Sequence, residues 1–526
     1  MSGFYFNPGN AAFCSDARSE IYVDKTLLLN ELNKKLCTND NCFCVTHARR
    51  FGKSQAADLL IAYYSKGCNS EEILSKYKIA QQENWTEHLN KYNVVRLDMS
   101  SIIDNNDKNK LVSDAIRRIV SDMKEDFQDE LDYDKSINEL IYSIYKKTNT
   151  PFVITIDEWD AVIREYGDDE QVVHGYLQFL HKLFKSAESK EFLALGYITG
   201  IIPIKKIKNE SALNNFQEYT MVNSGNLTEF YGFTEEEVKE LCQRFDMDSD
   251  AVTRWYNGYL INGKHMYNPN SVCRAMQRKQ IDSYWKNTSS YGTINDLINL
   301  NYGGLRDDIL SLLAGGRLEV DVKTFQNDLF NLRNKDEVIT ALIHLGYLGY
   351  DAEYKEAYMP NYEVSTAFES AMATDDNWGK VGRSIADSDR LLSATIRMDT
   401  DKVVKYLDFA HDAYSSVFEY NDENSLSCVL TMAYFTAQGY YNIVRELPTV
   451  KGFADFAFLP MSNAGRKPPM LVELKWNRSA NTAIKQIKER RYIGKLSEYT
   501  EILIVGINYS TRTKKHTCKS EKISME

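Results

Sequence analysis

Short apolar segments alternate with amphipathic segments along the first 230 residues, and this alternation constrains the fold more than any other feature. The apolar segments are rich in β-branched and aromatic residues, as buried strands are, and they lie at 42–46, 94–98, 152–157 and 193–199. The intervening segments repeat apolar side chains at helical spacing and lie at 53–65, 108–124 and 170–186. Strands that alternate with helices form a parallel sheet with crossover helices. The sequence therefore predicts an α/β domain built on a doubly wound parallel sheet.

The pattern becomes helical after Glu229, where Thr234 can cap a helix through Glu237. Helical spacing continues to about residue 350 and again over 380–445, and short strands return at 453–459, 471–476 and 501–507. A chain of 526 residues is too long for one hydrophobic core. We expect four domains: the α/β domain at 1–230, a helical lid or winged-helix-like region at 231–350, a helical connection at 351–415, and a small α/β domain at 416–526.

Composition excludes several protein classes. Hydrophobic residues make up 43% and charged residues 26%, which is typical of globular proteins, and no apolar run approaches the length of a membrane span. The start of the chain shows no signal-peptide pattern, so we expect a cytoplasmic protein that does not contact membranes. The nine cysteines form no CxxC pairs, which predicts reduced thiols and no zinc site.

A net charge of −11 argues against indiscriminate coating of nucleic acid. One local exception is a basic segment over residues 485–495, which contains Lys485, Lys488, Arg490, Arg491 and Lys495. This segment is either a nucleic-acid-binding surface or an ordinary solvated helix face.

The segment Gly52-Lys53-Ser54 follows the first apolar run and begins an amphipathic helix, as in a P-loop. In such a loop, backbone amides and the helix N-terminus hold phosphate, the lysine contacts the β and γ oxygens, and the serine binds Mg²⁺. The match to GxxxxGK[ST] is incomplete, because His47 stands where the first glycine is expected. Alone, the segment could equally be an ordinary turn between a strand and a helix.

A second motif favours the P-loop interpretation. The apolar run 152–157 ends in Asp157-Glu158, which is typical of a Walker B strand. Asp157 would orient the Mg²⁺ water shell, and Glu158 would polarise the attacking water. Thr199 ends the next strand, where such enzymes often place a residue that senses the γ-phosphate. The alternative is that the two acids cap the following helix.

A third group of residues lies near the C-terminal end of the chain. Glu473 and Lys475 are two residues apart in a predicted strand and so share one face, while Asp455 lies on the preceding strand of a hairpin. Two carboxylates at this position can bind Mg²⁺ beside a phosphate, and the lysine can act on the attacking water. The alternative is surface ion pairing.

These motifs together resemble the AAA-ATPase-like family found beside a PD-(D/E)XK nuclease-superfamily domain in many bacterial and some archaeal proteins. The similarity is carried by FNPGNAAF (6–13), IYVDKT (21–26), ARRFGKS (48–54), TIDEWD (155–160), TGIIPI with SALNNF (199–216), YGFTEEEV (231–238) and WYNGY with YNPNSV (255–272). The family usually has Arg-Pro where this chain has His47-Ala48, and this difference could alter how the loop binds phosphate. The segment WYNGY itself fits either a packed turn or a base-stacking site.

The resemblance implies an ASCE-type, AAA-like P-loop ATPase domain at the N-terminal end and a restriction-endonuclease-like fold at the C-terminal end. It implies phosphate contacts for Arg49 and Arg50, with ion pairs to nearby acids as the alternative. It also matches Glu446 to an upstream glutamate and Gln486 to a helical glutamine of the nuclease site.

We therefore expect an ATPase that controls a nuclease, with ATP and Mg²⁺ as cofactors, DNA rather than RNA as the partner, and a possible homo-oligomer. The alternatives are an ATP-regulated binding or scaffold protein with an inactive nuclease fold, and a signalling NTPase with a protein partner.

Overall fold

The computed structural model describes residues 3–104, 107–204, 213–285, 290–326, 329–414, 423–449, 452–489, 496 and 499–524. The strands are β1 (Cys42–Thr46), β2 (Asn93–Asp98), β3 (Phe152–Asp157), β4 (Leu193–Gly200), β5 (Gln217–Thr220), β6 (Phe233–Thr234), β7 (Tyr259–Ile261), β8 (Lys264–Tyr267), β9 (Arg317–Glu319), β10 (Gly349–Asp351), β11 (Glu356–Tyr358), β12 (Tyr441–Thr449), β13 (Gly452–Pro460), β14 (Met470–Trp476), β15 (Glu501–Ser510) and β16 (Lys515–Ser524).

The helices are α1 (Ala11–Ala17), α2 (Leu28–Asn33), α3 (Lys53–Tyr64), α4 (Glu71–Leu74), α5 (Met99–Asp104), α6 (Leu111–Phe127), α7 (Ile137–Thr148), α8 (Ala161–Tyr166), α9 (Glu170–Lys185), α10 (Ser189–Phe192), α11 (Glu235–Phe245), α12 (Ser249–Tyr256), α13 (Pro269–Arg278), α14 (Ser290–Asn299), α15 (Leu305–Leu313), α16 (Lys335–His344), α17 (Tyr362–Thr374), α18 (Gly379–Ala386), α19 (Ser388–Ile396), α20 (Thr400–Tyr414), α21 (Glu423–Ala433) and α22 (Ala480–Glu489).

These elements form two compact units. Unit 1 comprises Met1–Val238, Tyr259–Cys273 and Glu319–Ala357, and unit 2 comprises Lys239–Gly258, Arg274–Leu318 and Tyr358–Glu526. The division into four domains stays a prediction. Within the described ranges, none of the helices is long and apolar enough to span a bilayer.

Unit 1 contains a five-stranded sheet in the order β2-β3-β4-β1-β5, and all four pairings are parallel. Alternate residues of β1 enter different hydrophobic cores, with Cys42 and Cys44 in one and Phe43 and Val45 in the other. The sheet is thus buried on both faces, as a parallel sheet between two helical layers must be. The predicted α/β fold is confirmed.

The middle of the chain is mainly helical, as expected. Thr234 and Glu237 form the predicted reciprocal cap: the Glu237 amide donates to Thr234 Oγ1 at 3.3 Å, and the Thr234 amide donates to Glu237 Oε2 at 2.9 Å. Small sheets in the order β6-β8-β7 and β10-β11-β9 accompany these helices.

Unit 2 contains a mixed sheet in the order β12-β13-β14-β15-β16. The β14–β15 pair is parallel and is connected through α22, whereas the other pairs are antiparallel. The prediction that helix extends to residue 445 was wrong, because α21 ends at Ala433 and β12 begins at Tyr441. The β-branched and aromatic residues after Gly439 favour a strand that pairs with β13.

Candidate active sites

The predicted P-loop lies between β1 and α3 in unit 1. Gly52 has a φ of 84°, a left-handed conformation that favours glycine, and it directly precedes the first residue of α3. Lys53 is buried, and its ammonium donates to the carbonyl oxygens of His47 at 2.8 Å and Ala48 at 2.9 Å. These bonds use two of its three donors. Ser54 is exposed in the first turn of α3, at the end of the helix that favours anions.

His47 occupies the position of the missing glycine without placing its ring on the surface. The imidazole is fully buried, with its ring centre 5.1 Å from that of Tyr231, and its Nε2 lies 2.7 Å from Ser224 Oγ. Burial, together with the charge of Lys53, lowers the pKa of His47 to about 3. The ring is therefore neutral near pH 7, and it anchors the loop to the core.

The predicted Walker B residues lie at the carboxyl end of β3. The sheet order places β4 between β1 and β3, so Thr199 at the end of β4 lies beside Asp157. Thr199 Oγ1 donates to Asp157 Oδ1 and accepts from the Glu158 amide at 3.4 Å. Thr199 thus contacts Asp157 directly, and its predicted role in sensing the γ-phosphate stays a prediction.

The Glu158 side chain contacts residues that the sequence analysis did not predict to lie in this site. Its carboxylate pairs with Arg164 and accepts from Ser100 Oγ at 3.3 Å. Arg164 Nε also pairs with Asp160 Oδ2 at 3.1 Å, and that oxygen accepts from the amides of Ile201 and Ile202 at 3.0 and 2.8 Å. The pair Asp160–Arg164 has the i,i+4 spacing of a helical ion pair, which is the signal that could have identified it.

The charges in this site affect one another. Burial would raise the pKa of Glu158, but Arg164, Lys53 and Arg49 together outweigh burial and lower it. Burial also lowers the pKa of Lys53, and Glu158 and Asp157 oppose that shift. Lys53 of the P-loop therefore interacts electrostatically with both Walker B acids, and the Glu158 carboxylate stays ionised.

The two predicted arginines lie at the turn before Gly52. Arg49 is exposed and contributes to the field at Glu158. Arg50 is partly buried and adopts a left-handed conformation with a φ of 69°. Their contact with phosphate stays a prediction.

The second candidate site lies in unit 2, on adjacent strands of the mixed sheet. Phe456 of β13 pairs with Val472 of β14, so the register brings Asp455 opposite Glu473. Asp455 Oδ2 accepts from the Leu474 amide at 2.6 Å, which fixes the acid against β14. The carboxylates of Asp455 and Glu473 thus lie at opposed positions on two adjacent strands, and their predicted sharing of one metal ion stays a prediction.

Lys475 and Gln486 complete this cluster. Glu473 is only 1% exposed, and its Oε1 accepts from Lys475 Nζ at 3.0 Å and from Gln486 Nε2. Lys475 Nζ also donates to the Leu474 carbonyl at 2.6 Å. Gln486 reaches the strand from α22, whose buried side consists of Ala480, Ala483, Ile484 and Ile487.

Asp455 and Glu473 carry carboxylate oxygens, which are the ligand type that Mg²⁺ prefers. Among the described residues, no group of three or more His, Cys, Asp or Glu side chains could hold a metal ion. Mg²⁺ is usually bound through one or two carboxylates and completes its shell with water and phosphate oxygens. Glu446 lies on the neighbouring strand β12 with a φ of 53° and an exposed side chain.

Part of the basic segment 485–495 falls outside the described residues. Lys485 and Lys488 lie on α22 and pair with Glu489 and Glu521, whereas Arg490, Arg491 and Lys495 lie outside the described ranges. The rings of the WYNGY segment are buried, with Trp255 at 7%, Tyr256 at 0% and Tyr259 at 1% exposure. Burial at these three positions favours the packed turn over base stacking.

Comparison with known families confirms the resemblance inferred from the motifs. Residues 16–208 match the family described as predicted AAA-ATPase, and residues 421–519 match the PD-(D/E)XK nuclease superfamily. The first match contains β1 to β4 with the P-loop and Walker B residues, and the second contains β12 to β15 with the acidic cluster.

Two individual proteins show more distant similarity. An uncharacterized protein in the vnfD 5' region of Azotobacter chroococcum mcd 1 is 21% identical over 370 residues, which are 67% of this chain and 66% of that protein. The chain thus matches slightly less than two thirds of this relative's length. The structure of the Aeropyrum pernix ORC2 protein in ADPNP–ADP complexes is 10% identical, with a TM-score of 0.30, and the alignment covers 68% of this chain and 98% of that one. A similarity this low carries no argument about function.

Proposed function

Because this chain joins an AAA-ATPase-like domain to a PD-(D/E)XK nuclease-superfamily domain, we propose that it binds and hydrolyses ATP and thereby controls Mg²⁺-dependent cleavage of nucleic acid. DNA is the proposed substrate, and the bond broken is a phosphodiester. The observation that carries the proposal is the convergence of Glu473, Lys475 and Gln486 beside Asp455.

At the ATPase site, the residues divide into those that hold phosphate and those that act on water. Lys53 has a third donor for a phosphate oxygen, and Ser54 would contribute its hydroxyl to Mg²⁺. Asp157 is oriented by Thr199. Glu158 is ionised and can accept a hydrogen bond from the attacking water, while Arg164 sets its position.

At the nuclease site, Asp455 and Glu473 would hold Mg²⁺, which when bound activates water and neutralises charge on the phosphate. Gln486 fixes the Glu473 carboxylate from the helix side, so the acid is oriented before substrate arrives. Lys475 carries its ammonium 3.0 Å from Glu473 Oε1, where it can orient water or stabilise negative charge on phosphate.

One observation favours the alternative of a binding or scaffold protein. The Asp455 carboxylate already accepts a short bond from the Leu474 amide, and the exposed Glu446 adds no third buried acid to the cluster. Such a protein would retain the nuclease fold and bind nucleic acid without cutting it.

The test is a cleavage assay on plasmid, linear and single-stranded DNA and on RNA, each with and without ATP and Mg²⁺. We expect cutting of DNA that requires Mg²⁺ and changes with ATP, and that disappears in Asp455→Ala. Retention on DNA without cutting would support the scaffold alternative. ATP turnover without retention at low salt would instead indicate a signalling NTPase with a protein partner. Sedimentation with and without ATP would test the proposed homo-oligomer.

A further inference from the structure

A cavity of about 130 Å³ lies within unit 2, on the other side of the sheet from the acidic cluster. Its sheet wall includes Phe456, Phe458 and Val472. Successive residues of a strand point to opposite faces, so Phe456 and Val472 face away from their neighbours Asp455 and Glu473. The cavity is therefore separate from the proposed metal site and is one strand thickness away from it.

The charge of the cavity wall is unusual for this chain. The wall includes two arginines, Arg254 and Arg445, and no acidic residue, although acidic residues outnumber basic ones by 74 to 63 in the whole sequence. Most of the remaining wall is apolar, with Leu313, Leu430 and Phe458 among its members. Such a lining attracts an anion and repels a cation.

Arg254 has no carboxylate partner in the described part of the chain. Its Nε donates to the Gln438 carbonyl at 3.0 Å, and burial lowers the pKa of its guanidinium. A charge that is largely withdrawn from water without a counterion is unfavourable, and an anion would relieve this cost.

Arg445 reaches the cavity from β12. One of its terminal nitrogens donates to Ser427 Oγ at 2.6 Å, and its guanidinium lies 5.7 Å from the Phe456 ring centre. No acid among the described residues pairs with it either. Two guanidinium groups without ion pairs thus border one apolar cavity.

We propose that this cavity binds a small organic anion, whose apolar body packs against Leu430, Phe456 and Phe458 and whose carboxylate or phosphate pairs with Arg254 and Arg445. The volume sets the size of the ligand, since a cavity of about 150 Å³ holds benzene. A bound anion braces the strands that carry Asp455 and Glu473. An effect on cleavage rests on the proposed function, whereas binding itself does not.

The experiment measures binding to the full chain by calorimetry. The anionic probes are benzoate, hexanoate and phenyl phosphate, and the matched neutral and cationic probes are benzyl alcohol and benzylamine. We expect at least one anion to bind at least tenfold more tightly than both uncharged and cationic probes, which corresponds to about 1.4 kcal/mol. A preference for benzoate or for phenyl phosphate distinguishes a carboxylate from a phosphate ligand.

Variants then locate the site. Arg254→Met should weaken the bound anion at least tenfold, whereas the control Arg390→Met should not, because Arg390 is exposed and pairs with Asp387 elsewhere in unit 2. Ala314→Leu should exclude the anion by filling the cavity while it keeps both arginines. Circular dichroism shows whether each variant folds.

Three results would overturn the proposal: no anion binds, the neutral probes bind as tightly as the anions, or Arg390→Met loses binding as Arg254→Met does. If neither cavity variant folds, the selectivity of the unmodified protein decides. Because all these readouts are binding constants, they stay informative even if the protein cuts no nucleic acid.

Discussion

Replacing Arg164 by methionine should destabilise unit 1, because this side chain neutralises a fully buried acid. Arg164 bridges Glu158 and Asp160, and Asp160 is 0% exposed. In Arg164→Met, the Asp160 carboxylate would keep its bonds from the Ile201 and Ile202 amides but lose its ion pair with Arg164.

The expected loss follows from the burial of the pair. Removing one partner of a buried ion pair costs about 3–5 kcal/mol, and the two remaining amide bonds place this case near 3 kcal/mol. For a unit of this size, that loss lowers the melting temperature by roughly 6 °C.

The loss should also depend on pH. Burial already raises the pKa of Asp160 even though Arg164 opposes the shift, so removing Arg164 raises that pKa further. A carboxyl group whose pKa is higher in the folded than in the unfolded protein loses stability as pH rises above its unfolded value, which is about 3.9. The gap between variant and unmodified protein should therefore widen as the pH rises from the raised pKa of Asp160 in the unmodified protein towards pH 7, because below that pKa the carboxyl is protonated in both folded proteins.

Thermal melts across this pH range provide the assay. The matched control is Arg117→Met, since Arg117 is 68% exposed, and its pair with Asp114 should contribute less than about 1 kcal/mol. Adding Asp160→Asn to Arg164→Met should recover part of the loss by removing the unpaired charge. If Arg164→Met melts like Arg117→Met at every pH, the bridge does not stabilise the site as argued.

Three further predictions concern the two proposed activities. Lys53→Ala should weaken ATP binding in a titration more than tenfold, a loss of about 1.4 kcal/mol in binding free energy. Glu158→Gln should bind ATP normally and lose ATP turnover. Normal ATP affinity in Lys53→Ala would contradict the P-loop assignment. Asp455→Ala and Glu473→Ala should each abolish Mg²⁺-dependent cleavage. The double variant should lose no more activity than either single variant, because the effects of replacing two residues that share one metal are not additive. Partial losses that add up in the double variant would indicate two separate acids. Lys475→Ala should stop cleavage and leave ATP turnover unchanged in a preparation that circular dichroism shows to be folded, and normal cutting would remove Lys475 from the site.

The sequence-based prediction was most accurate for strands whose formation depends mainly on the burial of apolar side chains. Apolar runs are nearly sufficient to define buried parallel strands, so the predicted segments 42–46 and 152–157 coincide with β1 and β3. β5 was not predicted, because three of the four residues in Gln217–Thr220 are polar and the strand is only partly buried. β16 was missed for the same reason, since it is mostly polar, with three lysines and two serines among its ten residues, and contains no apolar run.

In the candidate sites, local sequence patterns predicted which residues lie together on a strand, but they did not predict contacts that depend on the tertiary fold. Strand periodicity was enough to place Glu473 and Lys475 on one face, where the Lys475 ammonium donates to Glu473. The hairpin prediction placed Asp455 on the adjacent strand, where the register brings it opposite Glu473. The role of Arg164 could not be read from the motif, because a bridge to Glu158 depends on the turn after β3, where Glu158 itself adopts a φ of 50°. The burial of His47 likewise depends on Tyr231 and Ser224, which are distant in sequence.

The open sheet of unit 2 has a consequence for solubility. β16 is a terminal strand, and an uncovered strand edge can pair with another copy of the chain and start aggregation. Lys515, Lys519 and Lys522 are exposed along β16, and Asp408 caps the His516 amide at 2.9 Å. Charged side chains on an edge oppose such pairing. The exposed lysines of β16 therefore oppose edge-to-edge pairing of two copies of the chain through this strand.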